Sequence, residues 1–305
     1  MSSKKRSLLA VFLVLFSAAV LFGGLLVLVM HFAGPAPRIA FGQKIGVVTL
    51  SGPIMDSREV LADLDGFNRD RSIKAIILRV DSPGGSVGPS QEIYREVNRI
   101  SRSKPVVASF GSVAASGGYY ASAGATRIVA NPGTITGSIG VIMEFFRFKS
   151  LLEKIGVELE VLKTGEFKDI GSPHRDLTER DREIIGHLIG DIQEQFVTDV
   201  AAGRGLELEK VLEIADGRVF SGAKAKELGL VDELGNFQDA VILSKELAGI
   251  SGEAELVLPK RREIDFLKLL TESAVQTVIR SLEGSSSRIH YRWQGLPEAG
   301  FTQTD

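Results

Sequence analysis

KAIILRVDSPGG, residues 74–85, is an almost continuously apolar run that ends at a proline and two glycines. A run of this kind, without polar alternation, fits a parallel strand buried on both faces. Its flanks supply suitable neighbours. IGVVTLSG (45–52) reads as a strand running into a Gly-Pro turn. Val60, Leu61, Leu64 and Phe67 recur at helical spacing within 57–69, and Ile93, Val97 and Ile100 mark the helix after DSPGG. VVASF (106–110) is a further short strand, a helix is expected to begin between Ala114 and Gly118, and 126–130 is another strand. Strands and helices alternate, which argues for stacked βαβ units rather than a bundle.

The downstream half is less regular. NPGTITGSIGVI (131–142) is rich in glycine and threonine. A helix is expected within 145–156 and a strand at VELEVLKTG (157–165). A long helix runs from Thr178, its cap, to about Ala202, with Ile184, Ile185, Leu188, Ile192 and Phe196 on the apolar face. Short elements follow at 208–214 and 217–235, and a helix at 237–247 closes the main domain. An appended strand, AELVLP (254–259), a helix at 264–282 and a mobile tail rich in serine and glycine complete the chain.

Composition narrows the possible functions. The chain has 305 residues, a formal net charge of −2 and no cysteine. Disulfides, thiolate chemistry and cysteine-bound metal are therefore ruled out, and no basic surface calls for a nucleic-acid partner. The histidines, His31, His174, His187 and His290, make no metal-ligand spacing. No metal or cofactor is expected.

Lys4, Lys5 and Arg6 precede a run from Leu8 to Phe32 without a formal charge. About 20 apolar residues cross a bilayer core as a helix, and this run exceeds a cleavable signal core. A basic flank stays cytoplasmic, which sends the rest of the chain across. The expected organisation is a basic tail (1–7), a transmembrane signal anchor (8–32), a linker (33–43), the main domain (44–250) and a C-terminal strand, helix and mobile tail (251–305). Cleavage near Ala33 to Ala36 is the alternative.

The candidate chemistry lies in FGSVAASGGYYASA (110–123). Ser116 stands where a strand has ended and a helix begins. There the Gly117 amide can face developing negative charge. Ala114 replaces the first glycine of GxSxG, so the α/β-hydrolase elbow is unsupported. In DSPGG, Gly84 and Gly85 are candidate donors for the other half of an oxyanion hole. A phosphate cradle would need GK[ST] or GxGxxG, and neither occurs. A serine hydroxyl needs a base. Lys168, in GEFKDIGSP (165–173), is one if burial lowers its pKa, and Ser138, in TGSIG, could orient it. The competing reading makes Ser-Gly-Gly a close-packing turn and Lys168 a surface lysine. His174 or His187 would serve a Ser/His hydrolase instead.

Residues 111–123, GEFKDIGSP and GRVFSGAKAKELGLVDELG (217–235) together resemble the short bacterial form of signal peptide peptidase A, peptidase family S49, over about 44–245. The resemblance implies an α/β spiral of βαβ units of the ClpP/crotonase type. It implies Ser116 as nucleophile, Lys168 as general base, Ser138 bonded to that lysine, and the DSPGG loop in the oxyanion hole. It further implies a ring of identical subunits, typically eight, whose active sites are shared between neighbours. Signal-peptide remnants and other hydrophobic peptides at the bacterial inner membrane would be the substrates, with the catalytic domain on the extracytoplasmic side. The contrasting expectations are an inactive membrane scaffold and crotonase-type acyl-CoA chemistry.

Overall fold

The computed structural model describes residues 16–17, 20–25, 43–259 and 289–292. The chain divides into two units, Met1–Phe41 and Gly42–Asp305. In the first, residues 16–17 and 20–25 are helical, and Phe16, Val20, Leu21, Phe22 and Leu25 are exposed. Among the described residues no helix is long and apolar enough to cross a membrane. Most of the 8–32 run lies outside them, as does the expected helix at 264–282.

In the second unit, β1 (Lys44–Ser51) leads through α1 (Arg58–Arg69) to β2 (Ile73–Ser82). A short β3 (Gly84–Ser86) opens α2 (Val87–Ser101), and β4 (Val106–Ala115) runs straight into α3 (Gly117–Ala123). Then come β5 (Arg127–Ala130), β6 (Ile135–Gly137), β7 (Ile142–Met143), α4 (Lys149–Lys154) and the long α5 (Glu179–Arg204). The last elements are α6 (Leu208–Leu212), β8 (Val219–Ser221), α7 (Gly222–Glu227), β9 (Glu233–Leu234), α8 (Phe237–Leu247), β10 (Glu255–Val257) and β11 (Ile289–Arg292).

The result is a mixed α/β fold. Its main sheet has eight strands in the order β10-β1-β2-β4-β5-β9, with β6 on β4 and β8 on β6. Every pairing is parallel except β6 with β8. β4 is longer than VVASF suggested. Its first half pairs with β5 and its second half with β6. That second half carries the sheet to the serine segment.

β2 explains its own sequence. Ile76, Leu78 and Val80 face one apolar cluster with Ile93, Val97, Phe110, Tyr119 and Phe196. Ala75 and Ile77 face a second with Val47, Val241 and Ile250. A strand covered on both faces is apolar through its centre, so residues 75–78 show no alternation, while Lys74 and Asp81 at its ends are exposed. α5 begins with a capping box, in which Thr178 and Asp181 each satisfy the other's backbone amide. It ends at Gly205, whose φ of 63° suits glycine.

Two expectations are corrected here. Residues 157–163 are not a strand. Among the described residues their valines and leucines find no partner edge, and residues 157–162 are all exposed. The segment taken as a mobile tail contains a strand, β11, because β3 and β7 each offer it a backbone edge.

Candidate active site

Three parallel strand ends meet. Ser82 at the end of β2 is in register with Ala114 of β4, and Ala115 is in register with Gly137 of β6. The next residues along β4 and β6 are Ser116 and Ser138, so pairing brings the two serines to adjacent strand ends. Carboxyl ends of parallel strands are where open α/β sheets bind ligands.

Among the described residues, Ser116 and Ser138 are the two non-glycine positions with positive φ, each at 53°. Ser116 has ψ of −118°, outside the left-handed helical well. Holding an L-residue there costs on the order of 1–3 kcal/mol and needs a surround that over-determines it. That surround is visible. The Ser116 amide donates to the Gly137 carbonyl at 2.8 Å, and its carbonyl accepts from the Tyr120 amide at 2.8 Å. The Thr134 and Thr136 hydroxyls donate to the Gly111 and Ala114 carbonyls, each at 2.7 Å, and zip β6 to β4. Behind the serine, α3 is buried throughout. Tyr120 stacks on Phe196 with centroids 4.4 Å apart, and Tyr119 Oη donates to the Leu230 carbonyl at 3.0 Å.

Strand, strained serine and helix together make a sharp strand-to-helix turn with Ser116 at its corner. The residue at the first position of GxSxG, Ala114, is fully buried. Gly118 leaves no room for a side chain, since a Cβ there would lie 2.7 Å from the Ser82 carbonyl oxygen.

The DSPGG loop is bonded to itself and to residues 52–54 after β1. Ser82 Oγ donates to the Gly52 carbonyl at 2.7 Å and accepts from the Gly84 amide at 3.1 Å. This role of Ser82 had no sequence signal beyond its place in the loop. The Gly84 amide is thus engaged and Gly85 is paired with Tyr291 of β11, which leaves Gly117 as the candidate oxyanion donor outside these pairings. Gly117 opens α3, where backbone amides lack helical acceptors. Ile54 binds the loop from the other side through Gly84 and Ser86, and a Cβ on Gly85 would stand 2.1 Å from the Ile54 oxygen. Gly85→Ala must therefore push the loop away. Overpacking of this kind lowers the melting temperature by about 2–8 °C in a domain of this size. Thermal unfolding measures it, and an unchanged melt would show the loop free to shift.

Lys168 stands elsewhere. It is exposed on the turn at 166–170, and its side chain makes no hydrogen bond or ion pair among the described residues. Within one chain it does not bond Ser116 or Ser138. His174 is half-buried and His187 exposed, and neither bonds Ser116.

The turn that carries Lys168 is nonetheless firmly held. Asp169 accepts from Lys163 Nζ at 2.7 Å and from Arg175 Nη2 at 3.0 Å. Arg175 Nη1 reaches Asp181 at 2.5 Å. Hydrogen bonds from Arg175 and then Lys163 hold the Asp169 carboxyl down to about 2. Arg175, ahead of the Thr178 amide, holds Asp181 well below the carboxylate range. A carboxyl with a depressed folded pKa stabilises above its unfolded value, about 4, and loses that contribution as pH falls toward the folded one. Amides of 163–176 should therefore exchange faster at pH 3 than at pH 6, relative to β2 and after correction for intrinsic rates. Equal protection at both pH values would contradict the ionic hold.

β11 borders the same place. It runs antiparallel between β3 and β7, pairing Tyr291 with Gly85, Arg292 with Gly84, and His290 with both Ser86 and Ile142. Its sequence signal was the alternation of basic and apolar residues in RIHYRW, 288–293.

Comparison with known proteins bears on this arrangement. The family model described as peptidase family S49 matches residues 98–251, and that described as Clp protease matches 43–134. A candidate protease of Synechocystis sp. is 42% identical over 248 residues, covering 81% of this chain and 85% of that protein. A candidate protease of Methanocaldococcus jannaschii is 37% identical over 259 residues, 80% of this chain and 82% of that one. A candidate signal peptide peptidase of Enterococcus faecium is 37% identical over 216 residues, 66% of this chain and 63% of that one.

Proposed function

The chain belongs to peptidase family S49, and we propose that it is a membrane-anchored serine endopeptidase working through Ser116 and Lys168. The observation that carries the reading is the strained turn at Ser116, fixed between the DSPGG loop and Ser138. Strain that a whole buried helix and two neighbouring strands maintain is characteristic of active sites.

In the proposed reaction the neutral Lys168 amine accepts the Ser116 proton as Oγ attacks the peptide carbonyl. The resulting oxyanion is met by the Gly117 amide and by an amide of the DSPGG loop, where a bound peptide displaces a pairing now held by Ser82 or Tyr291. The Lys168 ammonium then returns the proton to the leaving amine as the C–N bond breaks, leaving an acyl-enzyme. Water, deprotonated by the same amine, displaces Ser116. The Ser138 hydroxyl orients the lysine. Each oxyanion donor contributes about 3 kcal/mol to such a transition state.

We infer that substrates are extended hydrophobic peptides, signal-peptide remnants among them. The backbone of β11 lying between β3 and β7 supports an extended peptide in that gap. We also propose a closed ring of identical subunits, with eight as the expected number, in which the Lys168 turn of one subunit serves the Ser116 of its neighbour. The exposure of Lys168 supports this. So does the apolar surface before it, where Phe146, Phe148, Leu151, Ile155, Val157, Leu159 and Leu162 lie open.

Incubating the full chain with a library of hydrophobic peptides, and sequencing the products, tests the activity. Cleavage within apolar stretches is expected, and intact peptides with a folded, assembled protein would overturn the reading. For topology, residues 8–32 are proposed as the anchor at the bacterial inner membrane, with the main domain outside the cytoplasm. Protease added to spheroplasts should digest that domain. Digestion only in inverted vesicles would reverse the orientation.

A further inference from the structure

We propose that Arg175 is a positioning residue, which locks the turn carrying Lys168 onto the buried Asp181 in the first turn of α5 and so sets where the Lys168 amine stands. The inference rests on the reading of Lys168 as the base.

The neighbours of Lys168 are tied down while its own side chain is not. Lys163 Nζ donates to the Glu166 carbonyl at 2.8 Å and to Asp169 at 2.7 Å. Arg180 pairs with the Glu166 carboxylate at 3.0 Å and lies over the Phe167 ring, 5.2 Å from its centroid. Asp169 is taken by Arg175. Lys168 contributes only a backbone turn bond, its amide to the Gly165 carbonyl at 3.2 Å. A side chain free at the crest of a rigid turn is held ready for a group outside it.

The ties are not equivalent. The Arg180–Glu166 pair is open to water on both sides, with side-chain exposures of 68% and 59%. Such pairs contribute little. Arg175 bridges two shielded carboxylates, Asp169 at 10% exposure and Asp181 at 2%. It grips Asp181 with both terminal nitrogens, at 2.5 and 3.3 Å. Asp181 also accepts the Thr178 amide at 2.9 Å, so it cannot shift without uncapping a helix of 26 residues. That helix is sunk in the core through Phe196, Val197 and Val200. A continuous path therefore runs from the core through α5, Asp181, Arg175 and Asp169 to the residue beside Lys168. A planar guanidinium can span two carboxylates in a fixed geometry, whereas a lysine ammonium acts as a point charge.

Position matters because a general base must stand within about 3 Å of the proton it takes. A misplacement of about 1 Å, even from a remote change, can cost about 100-fold.

Arg175→Lys and Asp169→Asn, each in the full chain, test the proposal. Turnover is measured on a hydrophobic peptide and expressed per active site, with sites counted by an acylating serine reagent taken to completion. In both variants kcat is expected to fall about 10- to 100-fold with KM unchanged. Wild-type kcat per titrated site, with only a lower melting temperature or fewer active sites, would reduce Arg175 to a structural role and overturn the inference. If Arg175→Lys fails to fold, Asp169→Asn, which leaves the Arg175–Asp181 pair in place, decides alone. Lys168→Met separates the two levels of the argument. An active Lys168→Met removes the base reading itself. A dead one, beside wild-type turnover in the Arg175 and Asp169 variants, removes only the positioning role.

Discussion

Ser116→Ala is expected to abolish peptide hydrolysis and leave the protein folded. The fold should tolerate the change for a specific reason. The Ser116 side chain is 1% exposed, yet its hydroxyl makes no hydrogen bond among the described residues. The bonds that hold this residue, to Gly137 and from Tyr120, are backbone bonds that alanine keeps. The loss of turnover should be on the order of 10⁴-fold or more, as for removal of the nucleophile in other serine hydrolases. Peptide turnover and a thermal melt measure the two halves of the claim. A loss of only a fewfold, with an acylating inhibitor labelling no other serine, would remove Ser116 from the mechanism.

Lys168→Met is expected to be almost as damaging, with a loss of about 10³-fold or more, because a serine without its base is a poor nucleophile. His174→Ala should keep substantial activity. The reverse pattern would replace the lysine mechanism with a histidine one. Because Lys168 is exposed and makes no bond to Ser116 within one chain, the two inactive variants also report on assembly. If neighbours share each site, mixing Ser116→Ala with Lys168→Met and allowing subunit exchange restores intact pairs. Random heterologous packing regenerates about a quarter of the sites. No recovery despite demonstrated exchange would place both residues in one subunit. A stable, fully active monomer would remove the ring altogether.

Much of this was legible in the chain itself. KAIILRV read as a strand covered on both faces because Ala75, Ile76, Ile77 and Leu78 are apolar in succession, and all four are buried. The capping pattern at Thr178 set the start of α5, since a cap is a bargain between residues three apart. The three segments around Ser82, Ser116 and Ser138 were marked by glycines and small residues, which signal tight turns locally. All these signals depend on near neighbours in sequence, and the sequence records them directly.

Tertiary structure decided the remainder. The positive φ of Ser116 and Ser138 sits where β4 and β6 pair and α3 is buried, contacts that no local pattern announces. The Gly84 amide went to the side chain of Ser82 because the DSPGG turn closed on itself. VELEVL has the composition of a strand, and a strand exists only where another edge accepts its hydrogen bonds. Among the described residues none does for 157–162, whereas β3 and β7 do for IHYR, 289–292. Pairing edges and ion pairs join residues far apart in the chain, and only the folded structure determines which of them meet.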